Sequence, residues 1–344
     1  MTSIPDNAVL AAIKKLAFHE PLSSEEATAA FDQIMNGNAT ATQVAGLLSG
    51  LRVMGESAAI VAGVARALRN AMVRLPARNP DELVDTCGTG GGSVPTFNIS
   101  TAAALLAAGM GVRVAKHGNR SFTSKCGSAD VLEALDVRIE VDPDRMARTL
   151  EDAGLVFMFA PTMHPAMKHV GPVRRELGIP TVMNVVGPLA NPASAQRQVI
   201  GVADLSRGPV LAEALLELGT IHSLILHGEP GLDELSPMGP TRVWEIRDAR
   251  LTEWTVQPGD FDMKLATADQ LAGGSPADNA RIIVEVLSGK GNPGAEAAVV
   301  LNAAAALYVG GHVPDLASGV AQSKAALKDG AGIRALGRLR SAYG

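Results

Sequence analysis

The stretch VDTCGTGGGSVPTFNIST, residues 84–101, places Gly88, Thr89, Gly90, Gly91 and Gly92 between an apolar segment and a series of hydroxyl and amide side chains. Glycine loses much backbone entropy on ordering, so such a run marks a tight turn or a place where a ligand meets the main chain. No Gly-Lys-Ser/Thr follows, so the run is not a nucleotide-binding P-loop, and the third glycine of a dinucleotide fingerprint is missing. What is left is a set of unencumbered N–H groups that can form an anion-binding concavity. Ser100 and Thr101 fall at the expected start of a helix near Thr101, where free amides and the helix dipole favour a phosphate. By itself the loop reads equally as a turn with a Ser/Thr cap.

Three further stretches carry candidate chemistry. KHGNRSFTSKCGSADVLEAL, residues 116–135, follows the β-rich run VRVA and gathers Lys116, His117, Asn119, Arg120 and Lys125 around Gly118 and Gly127. Open α/β sheets bind ligands beyond the carboxyl ends of their strands, so a donor-rich loop and a cationic loop at successive strand ends suit one strongly anionic ligand. The alternative is a solvated basic loop. Ser128 is the expected cap of a helix starting at Ala129. In HPAMKHVGPVRRELGIPTVMNVVGPLANP, residues 164–192, His164, Lys168, Arg174 and Arg175 lie at helical spacing, and Pro188 and Pro192 bracket a turn. An arginine beside a stiff neutral loop suits a flat carboxylate, which a guanidinium grips with two hydrogen bonds. HGEPGLDELSPMGPT, residues 227–241, sets Asp233 and Glu234 in a Gly/Pro loop after the run LILHG. Two carboxylates completed by a ligand's phosphate oxygens are a magnesium-type donor set, whereas alone this is an ordinary turn.

The elements that must position these residues fall into two styles. Up to about residue 75 the pattern is helical and visibly punctuated. Val9, Ala12, Ile13 and Leu16 share one face of a helix over 5–19. Ser23 with Glu26 and Thr40 with Gln43 have capping-box spacing, and Gly37 and Gly55 close the helices they follow. SAAIVAGVARALRNAMV supplies a fourth helix. From about residue 80, β-rich runs (LVDTC, VRVAK, LVFMFA, TVMNVV, RQVIGVAD, IHSLILHG) alternate with Ala- and Leu-rich helical segments. That alternation argues for a largely parallel sheet. TRVWEIRDARLTEWTV reads as a late hairpin, and the last seventy residues return to helices.

Composition narrows the function classes. With 344 residues the chain can bury a large core. Aromatic residues make up only 3%, which leaves few stacking platforms for single-stranded nucleic acid, and the net charge of −5 gives no overall field for a polyanion. The two cysteines, Cys87 and Cys126, fit neither a disulfide framework nor a zinc site. The first twenty residues lack the basic segment and long apolar block of a secretory signal, so a cytoplasmic protein without membrane spans is expected.

In order and combination, CGTGG…TFNIST, KHGNRS…GSADVLEALD, HPAMKHVGPVRRELG, NVVGPLANP and GLDE make nearly the whole chain resemble the anthranilate phosphoribosyltransferase family of tryptophan biosynthesis. The resemblance implies an α/β protein with a small all-helical N-terminal domain over 1–75, joined by helices from about 165–190. A larger α/β domain over 76–344 would have a mostly parallel central sheet and flanking helices. It implies a homodimer that uses Mg²⁺ and transfers the phosphoribosyl group of phosphoribosyl pyrophosphate (PRPP) to the amine of anthranilate. Carried over by motif, the PRPP side comprises Gly88, Thr89, Gly90, Gly91, Thr96, Asn98, Ser100, Thr101, Lys116 and Ser128. The anthranilate side comprises Gly88, Asn119, His164, Arg174 and Pro188, and the metal set is Ser100, Asp233 and Glu234. No acid, base or nucleophile is implied, because an aromatic amine is already unprotonated at neutral pH. One position departs from the family pattern: Gly92 stands where an aspartate is usual, and a changed dependence on magnesium is expected. A nucleoside phosphorylase of the same fold and a non-catalytic, nucleic-acid-binding relative are the alternatives; the second would need a basic surface.

Overall fold

The computed structural model describes residues 7–121 and 125–343. Four helices open the chain, α1 (Ala8–Ala17), α2 (Ser24–Met35), α3 (Ala41–Met54) and α4 (Ala58–Ala71). Positions 5 and 6 of the expected first helix lie outside the described residues. Both capping boxes form: Ser23 Oγ accepts the Glu26 amide at 3.2 Å while Glu26 Oε2 accepts the Ser23 amide at 2.9 Å, and Thr40 and Gln43 repeat the exchange. Each box satisfies two amides that a helix start otherwise leaves without partners.

Seven strands form one sheet: β1 (Val84–Gly88), β2 (Val114–Gly118), β3 (Leu155–Phe159), β4 (Arg197–Gly201), β5 (His222–Gly228), β6 (Thr241–Arg247) and β7 (Arg250–Val256). Their order is β3-β2-β1-β4-β5-β6-β7. The pairs from β3 through β5 are parallel, and β6 and β7 add an antiparallel hairpin at one edge. The chain runs outward from β1 through β2 to β3, then returns to the other side of β1 to lay down β4. The winding therefore reverses between β1 and β4, and such a reversal opens a crevice beyond the carboxyl ends of the two strands. The Gly-rich loop leaves β1 at that crevice.

Eleven further α-helices are described, α5 (Ile99–Gly109), α6 (Ser128–Ala134), α7 (Pro143–Ala153), the short α8 (Ala160–Met163), α9 (Gly171–Leu177), α10 (Arg207–Leu218), the short α11 (Ala268–Leu271), α12 (Pro276–Leu287), α13 (Pro293–Val309), α14 (Leu316–Lys328) and α15 (Ala331–Tyr343), with short 3₁₀ turns between some of the elements. One apolar core packs α5, α13 and α15 against a face of the sheet. The Ala-rich sequence of α5 lets it lie buried on nearly every side. A second core joins α1–α4 to the 166–190 segment, to α10 and to Ile200, Ile225, Trp244 and Ile246 of the sheet. The helical bundle thus shares its apolar interior with the opposite face of the sheet. Two ion pairs tie the bundle to α10: Glu56 to Arg207 at 2.6 Å and Arg66 to Glu217 at 2.9 Å. No helix among the described residues is long and apolar enough to cross a membrane.

Several local expectations are corrected. TVMNVV is not a strand but a 3₁₀ turn over Val182–Asn184. Pro180 and Pro188 confine it, the Asn184 side chain accepts the Thr181 amide at 3.0 Å, and Val182, Val185 and Val186 are buried against the helical bundle. The helix expected near Thr101 begins at Ile99, with Asn98 in the cap position. Ser128 is the first residue of α6 and not its cap; Gly127 holds that place, its amide taken by Asp130 Oδ2 at 2.8 Å. Lys116 and His117 belong to β2 itself. The segment from His164 to Arg175 is broken by Pro165 and Pro172 into a 3₁₀ turn over Pro165–His169 and α9.

Candidate active site

Beyond the ends of β1 and β4, the Gly-rich loop and the Asp233–Glu234 loop interlock. Gly90 and Gly91 take positive φ values of 69° and 79°, open to glycine at no steric cost, which turns the loop back over the strand ends. The Gly90 amide donates to Asp233 Oδ2 at 2.8 Å, and the Thr89 amide donates to the Gly201 carbonyl at 2.9 Å. Ser93 fastens the far side of the loop, its amide donating to Gly231 O at 3.1 Å and its hydroxyl to Pro230 O at 2.7 Å. A Cβ on Gly88 would collide with Asp233 Oδ2, and one on Gly201 with the Asp233 carbonyl. Both strands must end in glycine for the acidic loop to close on them.

Behind this junction, Glu234 Oε1 accepts the Ser100 amide at 3.0 Å, at the start of α5. Lys116 is 3% exposed and points its ammonium to the Thr86 carbonyl at 2.5 Å and to Ser100 Oγ at 3.2 Å. One cation, two carboxylates and the amides of two elements therefore converge. Desolvation raises the Asp233 carboxyl, and it raises Glu234 to about 8, helped by the neighbouring Asp233 charge and opposed by Lys116. Burial pulls the Lys116 ammonium down, while Asp85, Glu234 and Asp233 hold it up.

Asp85, which motif reasoning did not single out, lies behind this junction within the electrostatic reach of Lys116. It is fully buried in β1, accepts the His117 amide at 3.2 Å and the Asn191 side-chain amide at 2.7 Å, and is raised by burial to about 6. Asn191, also missed, donates to the Ala115 carbonyl as well, at 2.8 Å, and so ties the GPLANP loop to β1 and β2. The available signals were a carboxylate inside an otherwise apolar strand and an amide next to Pro192.

A second group lies under that loop. His117 and His164 face each other with ring centroids 4.9 Å apart. Burial drives them to about 3 and about 4, so both rings are neutral across the physiological range. The Gly187 carbonyl faces His117 and the Ala190 carbonyl faces His164, while Pro188 is fixed through its carbonyl by Gln198 of β4 at 2.8 Å. Arg174 on α9 makes one long hydrogen bond, to Asn184 Oδ1 at 3.4 Å, and no ion pair among the described residues. Desolvation lowers its pKa. A partly desolvated guanidinium with no carboxylate of its own is a ready receptor for one.

The remaining candidates are held by structural bonds around the crevice. Asn98 links Cys126, through its amide nitrogen, to Asn279 of α12, through its oxygen. Thr96 pairs with Ala272 in an isolated bridge, and the Thr101 hydroxyl is buried without a partner. Asn119 and Ser128 contact each other past the end of β2, Ser128 Oγ donating to Asn119 O at 3.3 Å. Arg120 is withdrawn from the crevice by ion pairs with Asp130 and Glu133. No group of three or more metal-ligating side chains converges among the described residues.

Comparison with known proteins matches residues 80–333 to the glycosyl transferase family a/b domain and residues 10–72 to the glycosyl transferase family helical bundle domain. Anthranilate phosphoribosyltransferase from Rubrobacter xylanophilus is 47% identical over 95% of both chains. The chain belongs to the anthranilate phosphoribosyltransferase family. The Chloroflexus aggregans member is 46% identical over 95% of this chain and 96% of its own. Among solved members, the Thermus thermophilus enzyme superposes with a TM-score of 0.91 at 41% identity, covering 96% of this chain and 99% of its own. The Saccharomyces cerevisiae enzyme in complex with PRPP and Mg superposes at 0.89 with 29% identity over 99% of both chains.

Proposed function

We infer that this protein is an anthranilate phosphoribosyltransferase: it transfers the 5-phosphoribosyl group of PRPP to the amine of anthranilate, releasing pyrophosphate, with Mg²⁺. The observation that carries the reading is the convergence of the Gly88–Gly91 loop, the Ser100 amide, Lys116 and the Asp233–Glu234 pair at the sheet's switch point. Family membership supplies the substrates. Loss of anthranilate fluorescence on adding PRPP and Mg²⁺ tests it directly, and a fluorescence loss that persists when either is omitted would refute it.

On this reading Gly88, Thr89, Gly90 and Gly91, with Thr96, Asn98, Ser100, Thr101, Lys116 and Ser128, cradle PRPP. Asn119, His164, Arg174 and Pro188, with Gly88, receive anthranilate. Asp233, Glu234 and the Ser100 hydroxyl suit magnesium, because they are hard oxygens too few to cage it and so leave room for substrate oxygens. Bound there, the ion supplies charge neutralisation to the departing pyrophosphate. As the anomeric bond opens, negative charge gathers on the pyrophosphate, where the Lys116 ammonium and the loop amides meet it already oriented. The acceptor amine needs no base to activate it, and His117 and His164, kept neutral by burial, add no charge beside it. Positioning is the remaining task, worth roughly 7–11 kcal/mol when two reactants are well aligned.

Arg174→Ala raises the KM for anthranilate about 10- to 100-fold, the loss of a charge-assisted hydrogen bond, and leaves the KM for PRPP nearly unchanged. Initial rates with each substrate varied check this, and a larger effect on PRPP contradicts the assignment. At Gly92 a Cβ would sit 3.0 Å from Gly231 O and 3.8 Å from Asp233 Oδ1, so an acidic side chain there reaches the Asp233 carboxylate. Gly92→Asp therefore shifts the Mg²⁺ concentration for half-maximal rate. Superimposable Mg²⁺ titrations of the two proteins count against a role for this position.

The division into a helical unit over 1–75, completed by 165–190, and an α/β unit over 76–344 belongs to the same proposal. So do cytoplasmic residence and a homodimer. Phe18 and Val53, 78% and 84% exposed at the ends of the packed helices α1 and α3, give a dimer apolar surface to cover. Light scattering at twice 35.5 kDa supports the dimer, and a monomer mass removes it.

A further inference from the structure

A cavity of about 460 Å³ opens at the end of the sheet opposite the Gly-rich loop. Arg197 pairs with Val84 and Gly201 with Gly88, so the full length of β4 separates this cavity from the crevice. Its walls are Arg197 at the start of β4, His222 at the start of β5, Arg247 at the end of β6 and Tyr308 near the end of α13, with Ile221 and Val313 as apolar flanks.

Arg197 is held by backbone carbonyls that leave its charge uncancelled, whereas Arg247 is half-exposed and meets only a loose, solvent-exposed carboxylate. Arg197 donates from Nε to the Asp81 carbonyl at 2.8 Å and from Nη1 to the Val309 carbonyl at 2.7 Å, and it has no ion pair among the described residues. Arg247 lies 6.0 Å from the centre of the Tyr308 ring. The carboxylate paired with Arg247 belongs to Asp248, 3.8 Å from its Nε and 88% exposed to solvent. The wall behind them is rigid. Glu245 accepts from the Tyr308 hydroxyl at 2.7 Å and from Trp254 Nε1 at 2.8 Å, and it meets His222 Nε2 at 2.8 Å. His222 stands edge-on to Tyr308 with centroids 4.7 Å apart. The oxygens of Glu245 are thus engaged by three neighbours, and the charged groups left facing the cavity are Arg197, Arg247 and Asp248, with His222 and His312 as its titratable imidazoles.

A cavity of this size falls in the range of about 300–1,000 Å³ occupied by small ligands and exceeds what a bare inorganic ion fills. Guanidinium groups match planar or tetrahedral oxyanions, and Arg197, already ordered by two carbonyls, pays little entropy on binding. We propose that this cavity binds a small organic anion, a carboxylate or a phosphate ester on an apolar body. Arg197 and Arg247 grip the oxyanion, and Tyr308, Ile221 and Val313 cover the body.

The chain has two tryptophans, and they report differently. Trp254 Nε1 is bonded to Glu245 behind the cavity, whereas Trp244 Nε1 is bonded to Glu253. In ¹H–¹⁵N spectra of the intact protein at constant ionic strength, benzoate or phenyl phosphate shifts the Trp254 indole signal saturably, and the tighter probe identifies the head group. Arg197→Gln and Arg247→Gln each weaken that binding at least about tenfold, as loss of a charge-assisted hydrogen bond requires. Should Arg197→Gln unfold, the exposed Arg247 variant decides the matter. No saturable shift with either probe overturns the proposal. So does a shift that survives both variants, or one abolished only by Arg174→Ala, which would place the probe in the anthranilate site.

Discussion

Replacing Asp233 and Glu234 together with Asn and Gln removes magnesium-dependent turnover almost entirely, a loss of several kcal/mol of leaving-group stabilisation. The two loops bring these carboxylates to the phosphate-binding amides themselves: Asp233 already holds the Gly90 amide and Glu234 the Ser100 amide. Each carboxylate stands where a phosphate oxygen would be expected. An incoming polyanion must displace them or be bridged to them by a cation, so the Asp233 charge, joined by that of Glu234 above about pH 8, opposes metal-free binding. The double variant therefore binds pyrophosphate without metal at least as tightly as the parent, while the gain produced by Mg²⁺ vanishes. Calorimetry with and without Mg²⁺ separates the two effects. Weaker metal-free binding would show that the carboxylates serve some other end, and unchanged turnover at limiting Mg²⁺ would remove them from the metal site.

Lys116→Met lowers kcat about 10²- to 10³-fold, the usual cost of deleting one preorganised donor to a developing anion. The lysine sits on β2 with its ammonium already directed at Thr86 O and Ser100 Oγ, so no reorganisation is needed when charge appears on the pyrophosphate. Methionine preserves the stem's packing. Asp85 keeps the Asn191 and His117 donors after the substitution, which protects the fold. Thermal unfolding should accordingly change far less than rate. A variant with near-parental kcat, or one whose lost activity tracks lost structure, would refute the assignment.

Interaction at close range explains what was readable before any coordinates. Capping boxes at Ser23 and Thr40 are local exchanges across three residues, and the sequence shows them directly. The β-rich runs became β1–β5 because alternation with helices leaves parallel pairing as the short solution. The run TVMNVV failed because its apolar residues are equally suited to a bundle interior, and only the packing of 166–190 on the helices chose between them.

On its own the sequence offered candidate residues for a sugar phosphate, a divalent cation and an aromatic carboxylate, because capping, glycine turns and donor types act through a few neighbouring atoms; their individual roles came only from the resemblance of the combined motifs to a family. The tertiary structure alone decided that residues 90 and 233 meet, that Arg120 is diverted to Asp130 and Glu133, and that Asp85 lies buried beside Lys116. Those outcomes depend on the reversal of winding between β1 and β4 and on the side chains that other strands and helices bring up. A contact such as that of Gly90 with Asp233, across more than a hundred residues, carries no local signature, since the cost of closing so long a loop is met by the whole core and not by the groups that touch.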